Sequence, residues 1–213
     1  MLVLVISDIH ARFENLQQIV KLIHNKGVGL VLLLGDLTNL GGAKETEQAL
    51  LPLQGFEVLA IPGNLDTPEV AKTLEEKGLS LHAKKKKLGQ FTFVGFGGGL
   101  LGNPGGFLFS EEEIKQVLNK LMENEENVVL LTHLPPFGTK INLSSKGLDI
   151  GSKSVKEVVE KQQPLLHLCG HAHESFGEEG LGKTVSINVG AVKEGKAMLL
   201  ELGEKPKWER LQI

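Results

Sequence analysis

Five short segments of the chain end in side chains able to hold a metal ion: Asp8 with His10, Asp36, Asn64, His133, and His171 with His173. Each follows a short apolar run, at Leu2–Ile6, Leu30–Leu34, Val58–Ile61, Val128–Leu131 and Leu165–Leu168. Runs of this length read as strands, and groups carried just past strand ends gather at one edge of a sheet, where α/β proteins bind ligands. Carboxylate, imidazole and carboxamide then converge on one small volume. Seven such groups are too many for one ion but suit two if a carboxylate is shared, and Asp36 is the natural bridge. Paired ions sit roughly 3.5–4 Å apart, a gap a carboxylate spans with an oxygen to each. Mixed imidazole and oxygen ligation disfavours magnesium and calcium and points to two divalent first-row ions, manganese, iron, zinc or similar. A thiolate site is ruled out, because Cys169 is the only cysteine.

The elements that must position these groups alternate through the first half. After the Asp8/His10 loop comes a helix with Leu16, Ile19, Val20 and Ile23 on one face, which Gly27 can end. A second helix is expected around Lys44–Leu51, and Thr67-Pro68 reads as the cap and first position of a third. That is βαβ organisation. Past Gly89 the pattern shifts toward strands: Phe91–Val94, a glycine-rich stretch, a helix opened by Ser110 and Glu113 as a capping box, and Val128–Leu131. The runs Thr184–Val189, Ala197–Leu202 and Trp208–Ile213, separated by turn residues, read as antiparallel strands.

The order Asp-x-His, Gly-Asp, Gly-Asn-x-Asp, His, Gly-His-x-His resembles the calcineurin-like metallophosphoesterases, and more closely their small, single-domain prokaryotic Icc-like members. The likeness runs from Ser7-Asp8-Ile9-His10 to Asn188-Val189-Gly190, where the family reads Asn-Pro-Gly. It implies an α/β four-layer sandwich, two facing mixed β-sheets flanked by helices. It also implies one ion held by Asp8, His10, Asp36 and His173 and a second held by Asp36, Asn64, His133 and His171. The chemistry implied is hydrolysis of a phosphoester by a hydroxide shared between the ions, with Asp36, Asn64 and His133 at the catalytic centre. One position departs. The family usually has Gly-Asn-His before Asp or Glu, its histidine beside the leaving oxygen, whereas this chain reads Gly63-Asn64-Leu65-Asp66. A positioned acid contributes typically ~10²–10⁴-fold, and leucine cannot supply it. Phosphodiesters or activated phosphomonoesters are therefore the expected substrates. The competing expectation is a non-catalytic metal-binding scaffold or interaction protein on the same fold, of which the retromer relative is an example.

Composition bounds the rest. With 213 residues and 41% hydrophobic content, the chain can bury a full core as one domain, 1–213. The formal charge is −3 and Arg12 and Arg210 are the only arginines, so no broad basic face for long nucleic acid is expected. The lone cysteine fits a reducing interior, no segment is long and apolar enough to span a membrane, and the first residues read as a strand rather than a signal peptide, which makes the cytoplasm the expected compartment. Oligomeric state is not legible.

Several residues carry two readings. Arg12 can reach a phosphate oxygen or stand exposed at a helix entrance. Asn103 and Pro104 lie in the glycine-rich segment Gly95–Gly106, expected to be a mobile connection, which the family resemblance implies lies near the mouth of the site and could offer a substrate contact. That segment lacks the last glycine of a dinucleotide fingerprint and the lysine of a P-loop. Asp66 is expected to cap the helix beginning at Pro68. His167, inside an apolar run, is expected to be a core histidine satisfied by the backbone, and His24 and His82 to take no part in catalysis. Lys84–Lys87 is expected to guard an exposed edge strand.

Overall fold

The computed structural model describes residues 1–213. In chain order the elements are β1 (Leu2–Ile6), α1 (Phe13–Ile23), β2 (Leu30–Leu34), α2 (Ala43–Leu50), β3 (Glu57–Ile61), α3 (Pro68–Glu76), β4 (Lys84–Leu88), β5 (Phe91–Phe96), β6 (Gly99–Leu100) and β7 (Leu108–Phe109). There follow α4 (Glu111–Met122), β8 (Val128–Thr132), α5 (Lys153–Gln162), β9 (Leu166–Cys169), β10 (Gly177–Leu181), β11 (Thr184–Asn188), β12 (Lys196–Glu201) and β13 (Lys207–Gln212). Two mixed sheets face each other, one in the order β13-β12-β1-β2-β3 and the other β10-β11-β9-β8-β5-β4.

Strand composition explains the layering. β2 is Leu-Val-Leu-Leu-Leu and buried throughout, as a strand covered on both faces must be. Its Leu30, Leu32 and Leu34 join Val3, Val5 and Ile61 against Phe93, Leu131, Leu166, Leu168 and Ile187 of the opposite sheet. Its Val31 and Leu33, with Leu4 and Ile6, pack instead on Leu16, Ile19 and Ile23 of α1 and on Val70 and Leu74 of α3. Outside the second sheet, Val94, Phe96, Val128 and Leu130 meet Ile114, Leu118 and Met122 of α4 and Val155, Val158 and Val159 of α5. Helix, sheet, sheet and helix thus form the four layers expected.

Local signals mostly act as read. Ser110 Oγ accepts from Glu113 N at 3.2 Å while the Glu113 carboxylate accepts from Ser110 N at 2.8 Å, closing the capping box of α4. α1 stops at Ile23, short of Gly27. Thr67 is the N-cap of α3, but its hydroxyl donates to Gly41 O rather than closing the cap. β4 is an edge strand, its lysines paired with Glu75, Glu57 and Glu125.

Two expectations need correction. The three C-terminal runs are not one antiparallel set: β12 and β13 extend the first sheet, whereas β11 enters the second, parallel to β9 and antiparallel to β10. β10 reads Gly-Glu-Glu-Gly-Leu, without apolar alternation, because it is an edge strand. The glycine-rich segment is no loose connection. It forms the β6/β7 pair and lies against the loop after β3, with Gly98 N bonded to Pro62 O and Gly106 N to Asn64 O, at 2.8 and 2.7 Å.

Candidate metal centre

The ligand candidates follow the C-terminal ends of β1, β2, β3, β8 and β9, all members of parallel pairs, so the two sheets present them at one common edge. Backbone bonds stitch the loops together: Asp8 N to Gly35 O, His10 N to Asp36 O, and Gly170 N to His133 O. The glycines before these candidates are there for close approach. A Cβ at Gly63 would collide with Asp36, and one at Gly170 with Asp8 and Ser7. Asp8, His10, Asp36 and His171 have φ of 54, 48, 51 and 68°, a left-handed conformation that non-glycine residues rarely adopt. Such strain is held only where surrounding structure over-determines it, and it clusters at functional sites.

Two groups of side chains could each hold an ion: Asp8, His10 and His173, and Asp8, Asp36 and His133. His173 Nε2 is 2.9 Å from Asp8 Oδ1 and 3.2 Å from His10 Nε2. Asp8 is common to both groups; Asp36 Oδ2, in the second, also reaches toward the first, 3.7 Å from His10 Nε2 and 3.5 Å from His133 Nε2. Asn64 Oδ1 is 3.0 Å from His133 Nε2, and the His171 ring packs edge-on against His133 with centroids 5.1 Å apart. All seven candidates therefore meet. Asp36 Oδ1 accepts from Leu65 N at 2.7 Å, which fixes the carboxylate with Oδ2 toward the histidines.

Electrostatics favours a cation at this edge. His133 Nδ1 donates to Leu34 O at 2.7 Å, which turns Nε2 toward Asn64 Oδ1 and Asp36 Oδ2, both acceptors. His10 Nδ1 donates likewise to Asn39 Oδ1 at 2.7 Å, leaving Nε2 facing Asp8 and Asp36. Lone pairs converging in this way require a proton or a metal ion between them. Without metal a proton fills the role. Burial would lower the pKa of His133, but Asp36 and then Asp8 override it and push the ring up to about 9. Burial opposes ionisation of Asp8 as well, yet hydrogen bonds from His10 and His173 hold its carboxyl well below the usual range. His171 goes the other way, down to about 4 through burial and the His133 charge, and so keeps a free lone pair.

One residue at the site was missed in the sequence and another was misassigned. Asn39 locks His10 from both sides, its Nδ2 also donating to His10 O at 3.2 Å; an isolated Asn in a loop gives no such signal. Asp66 does not cap α3. Fully buried, it accepts from Gly63 N, Leu37 N, Thr38 N and Thr38 Oγ1, joining the Asp36 loop to the Asn64 loop. Burial, with the nearby Asp36 charge, pushes its carboxyl up to about 6. His167 is buried as expected, but its partners are the Thr132 and Ser186 hydroxyls, at 2.8 and 3.1 Å, not the backbone. Arg12 and Asn103 are exposed, with no side-chain hydrogen bond to the cluster; His24 and His82 lie outside it.

Comparison with known proteins agrees with this arrangement. The calcineurin-like phosphoesterase family profile matches residues 1–175. The Methanocaldococcus jannaschii protein MJ1162 is 33% identical over 168 residues, covering 75% of this chain and 76% of its own. A probable cyclic nucleotide phosphodiesterase of Vesicomyosocius okutanii is 26% identical over 172 residues, covering 79% and 72%. In three dimensions, the Thermus thermophilus protein TT1561 superposes with a TM-score of 0.79 at 22% identity, over 99% of this chain and 98% of its own, which speaks to the fold. With its motifs at one edge of the expected four-layer sandwich and a family match over 175 of 213 residues, the chain belongs to the calcineurin-like phosphoesterases.

Proposed function

We propose that the protein is a dinuclear metal-dependent phosphoesterase acting on phosphodiesters or activated phosphomonoesters. The observation that carries this is the convergence of Asp36 Oδ2, His10 Nε2 and His133 Nε2, each ring locked from behind so that a lone pair faces a carboxylate. Asp8, His10, Asp36 and His173 would hold one first-row ion, and Asp36, Asn64, His133 and His171 the other. Bound there, manganese, iron or zinc ions would lower the pKa of water from ~15.7 toward ~7 and neutralise charge on the phosphoryl oxygens.

The chain's own residues set the rest. Asp36 fixes how close the two halves stand, because Leu65 N pins its other oxygen. Leu65 cannot give a proton to a departing oxygen, so the leaving group must be good already or take its proton from water or another residue. The likeness to a probable cyclic nucleotide phosphodiesterase supports a diester. Arg12, exposed at the start of α1, and Asn103, exposed beside the Asn64 contact, are the candidates to meet the substrate.

A chromogenic diester, bis(4-nitrophenyl) phosphate, tests the reading. Protein reloaded with manganese, iron or zinc should hydrolyse it, and chelated protein should not. Two ions bound with no hydrolysis of any phosphoester would favour the scaffold.

A further inference from the structure

The segment that folds over Asn64 does more than connect β5 to α4. Asn64 Nδ2 donates to Pro104 O at 3.1 Å, and its backbone carbonyl accepts from Gly106 N at 2.7 Å. A carbonyl can only accept, so the atom facing Pro104 must be the amide nitrogen. The oxygen is then left toward His133, and it is the only amide atom able to ligate a cation. Contact this close depends on glycine. A Cβ at Gly105, where φ is +154°, would collide with Asn64 O, and one at Gly99 would lie 2.5 Å from Asn64 Cβ.

The far end of the segment is anchored by a residue with no place in the ligand cluster. His82 Nδ1 accepts from Gly97 N at 3.0 Å, and the ring packs against Phe96, Phe107 and Phe109 with centroids 4.8, 5.0 and 5.2 Å away. Phe107 and Phe109 belong to the returning limb, whose Phe107 O accepts from Gly99 N at 2.9 Å. One imidazole therefore ties both limbs together, outgoing through its nitrogen and returning through its faces.

We propose that Gly97–Gly106 is a strap that positions Asn64 as a metal ligand by presenting the Pro104 carbonyl to its amide, and that His82 is the positioning residue anchoring the strap. The inference rests on the two-ion reading above. Removing an outer partner of a metal ligand costs roughly 10–100-fold in affinity. Here the loss falls on the ion that Asn64 holds and spares the other.

Calorimetric titration of the metal-free protein with Mn²⁺ alone tests this. In Gly105→Ala and His82→Leu, one ion should bind as in wild type and the other roughly 10–100-fold more weakly, the same ion that Asn64→Ala weakens further. The unaffected ion reports that the variant is folded. His82→Asn, which returns an acceptor near the Nδ1 position, should recover most of the lost affinity. Gly105→Ala should add little to Asn64→Ala, because both act through the same amide. The proposal is overturned if the strap variants hold both ions at wild-type affinity, weaken both equally, or add their full effect to Asn64→Ala. A wild-type protein that never takes a second ion overturns the two-ion reading and this inference with it.

Discussion

His133, just past β8, and His167, within β9 of the same sheet, are both fully buried, yet their surroundings drive them in opposite directions, one up to about 9 and the other down to about 3. His133 projects at the ligand edge, where its Nε2 meets acceptors only. His167 lies within β9 between two hydroxyls. Thr132 Oγ1 donates its one proton to Leu134 O at 2.6 Å, so toward His167 it accepts, and Ser186 donates to the other nitrogen. Every group there is satisfied with a neutral ring. Burial alone therefore says nothing about which histidine does chemistry; the sign of the partners does. Thr132 and His133 are adjacent in sequence and serve the two environments on opposite sides of β8.

The largest expected break in this comparison is among the edge histidines. His10→Ala, His171→Ala or His173→Ala should abolish metal-dependent diester hydrolysis while leaving a folded protein, and His24→Ala should remain near wild type. Full activity in any of the first three, measured with saturating metal, would remove that residue from the site.

The next largest concerns the core histidine. The folded pKa of about 3 lies below the ordinary 6.5, so the unfolded chain takes up a proton that the native chain refuses. The stabilisation is fully present above about pH 6.5 and is lost as pH falls toward 3, on the order of a few kcal/mol. His167→Gln should be less stable than wild type at pH 8. Its stability should also fall less steeply between pH 6.5 and 4, by up to ~1.4 kcal/mol per unit. Denaturant melts across that range check it, and equal slopes would mean that His167 titrates normally in the fold.

The convergence of the candidates was legible because each follows a strand, and strands are legible from apolar runs. Leu2–Ile6 and Leu30–Leu34 fall where they were read, and the seven ligand candidates meet. What was not legible depends on tertiary partners. Asp66 before Thr67-Pro68 looks like a cap, but three donors from the Asp36 loop, with Gly63 N of its own, claim it. Asn39 and the strap over Asn64 act through contacts across ~30–40 positions of chain, which no local pattern encodes. β11 reads as an antiparallel strand, yet its pairing with β9 depends on where the chain crosses the sheet.

The smallest expected effect is at Leu65. Leu65→His would return an imidazole next to Asn64, and an acid helps poor leaving groups most. The variant should raise kcat on an alkyl phosphoester more than on its nitrophenyl counterpart, with metal content unchanged. Equal effects on both substrates in a folded, fully loaded variant would mean that position 65 does not face the leaving group.

The central claim is that two ions share Asp36, and elemental analysis with metal titration of wild type and Asp36→Asn tests it most directly. Wild type should bind close to two first-row ions per chain. Asp36→Asn should weaken both by more than the ~10–100-fold an outer-shell change costs, because a shared ligand loses charge at each. His133→Ala should weaken mainly one. A wild-type protein free of metal under every loading condition, or an Asp36→Asn variant that loses one ion and keeps the other at full affinity, would contradict the account.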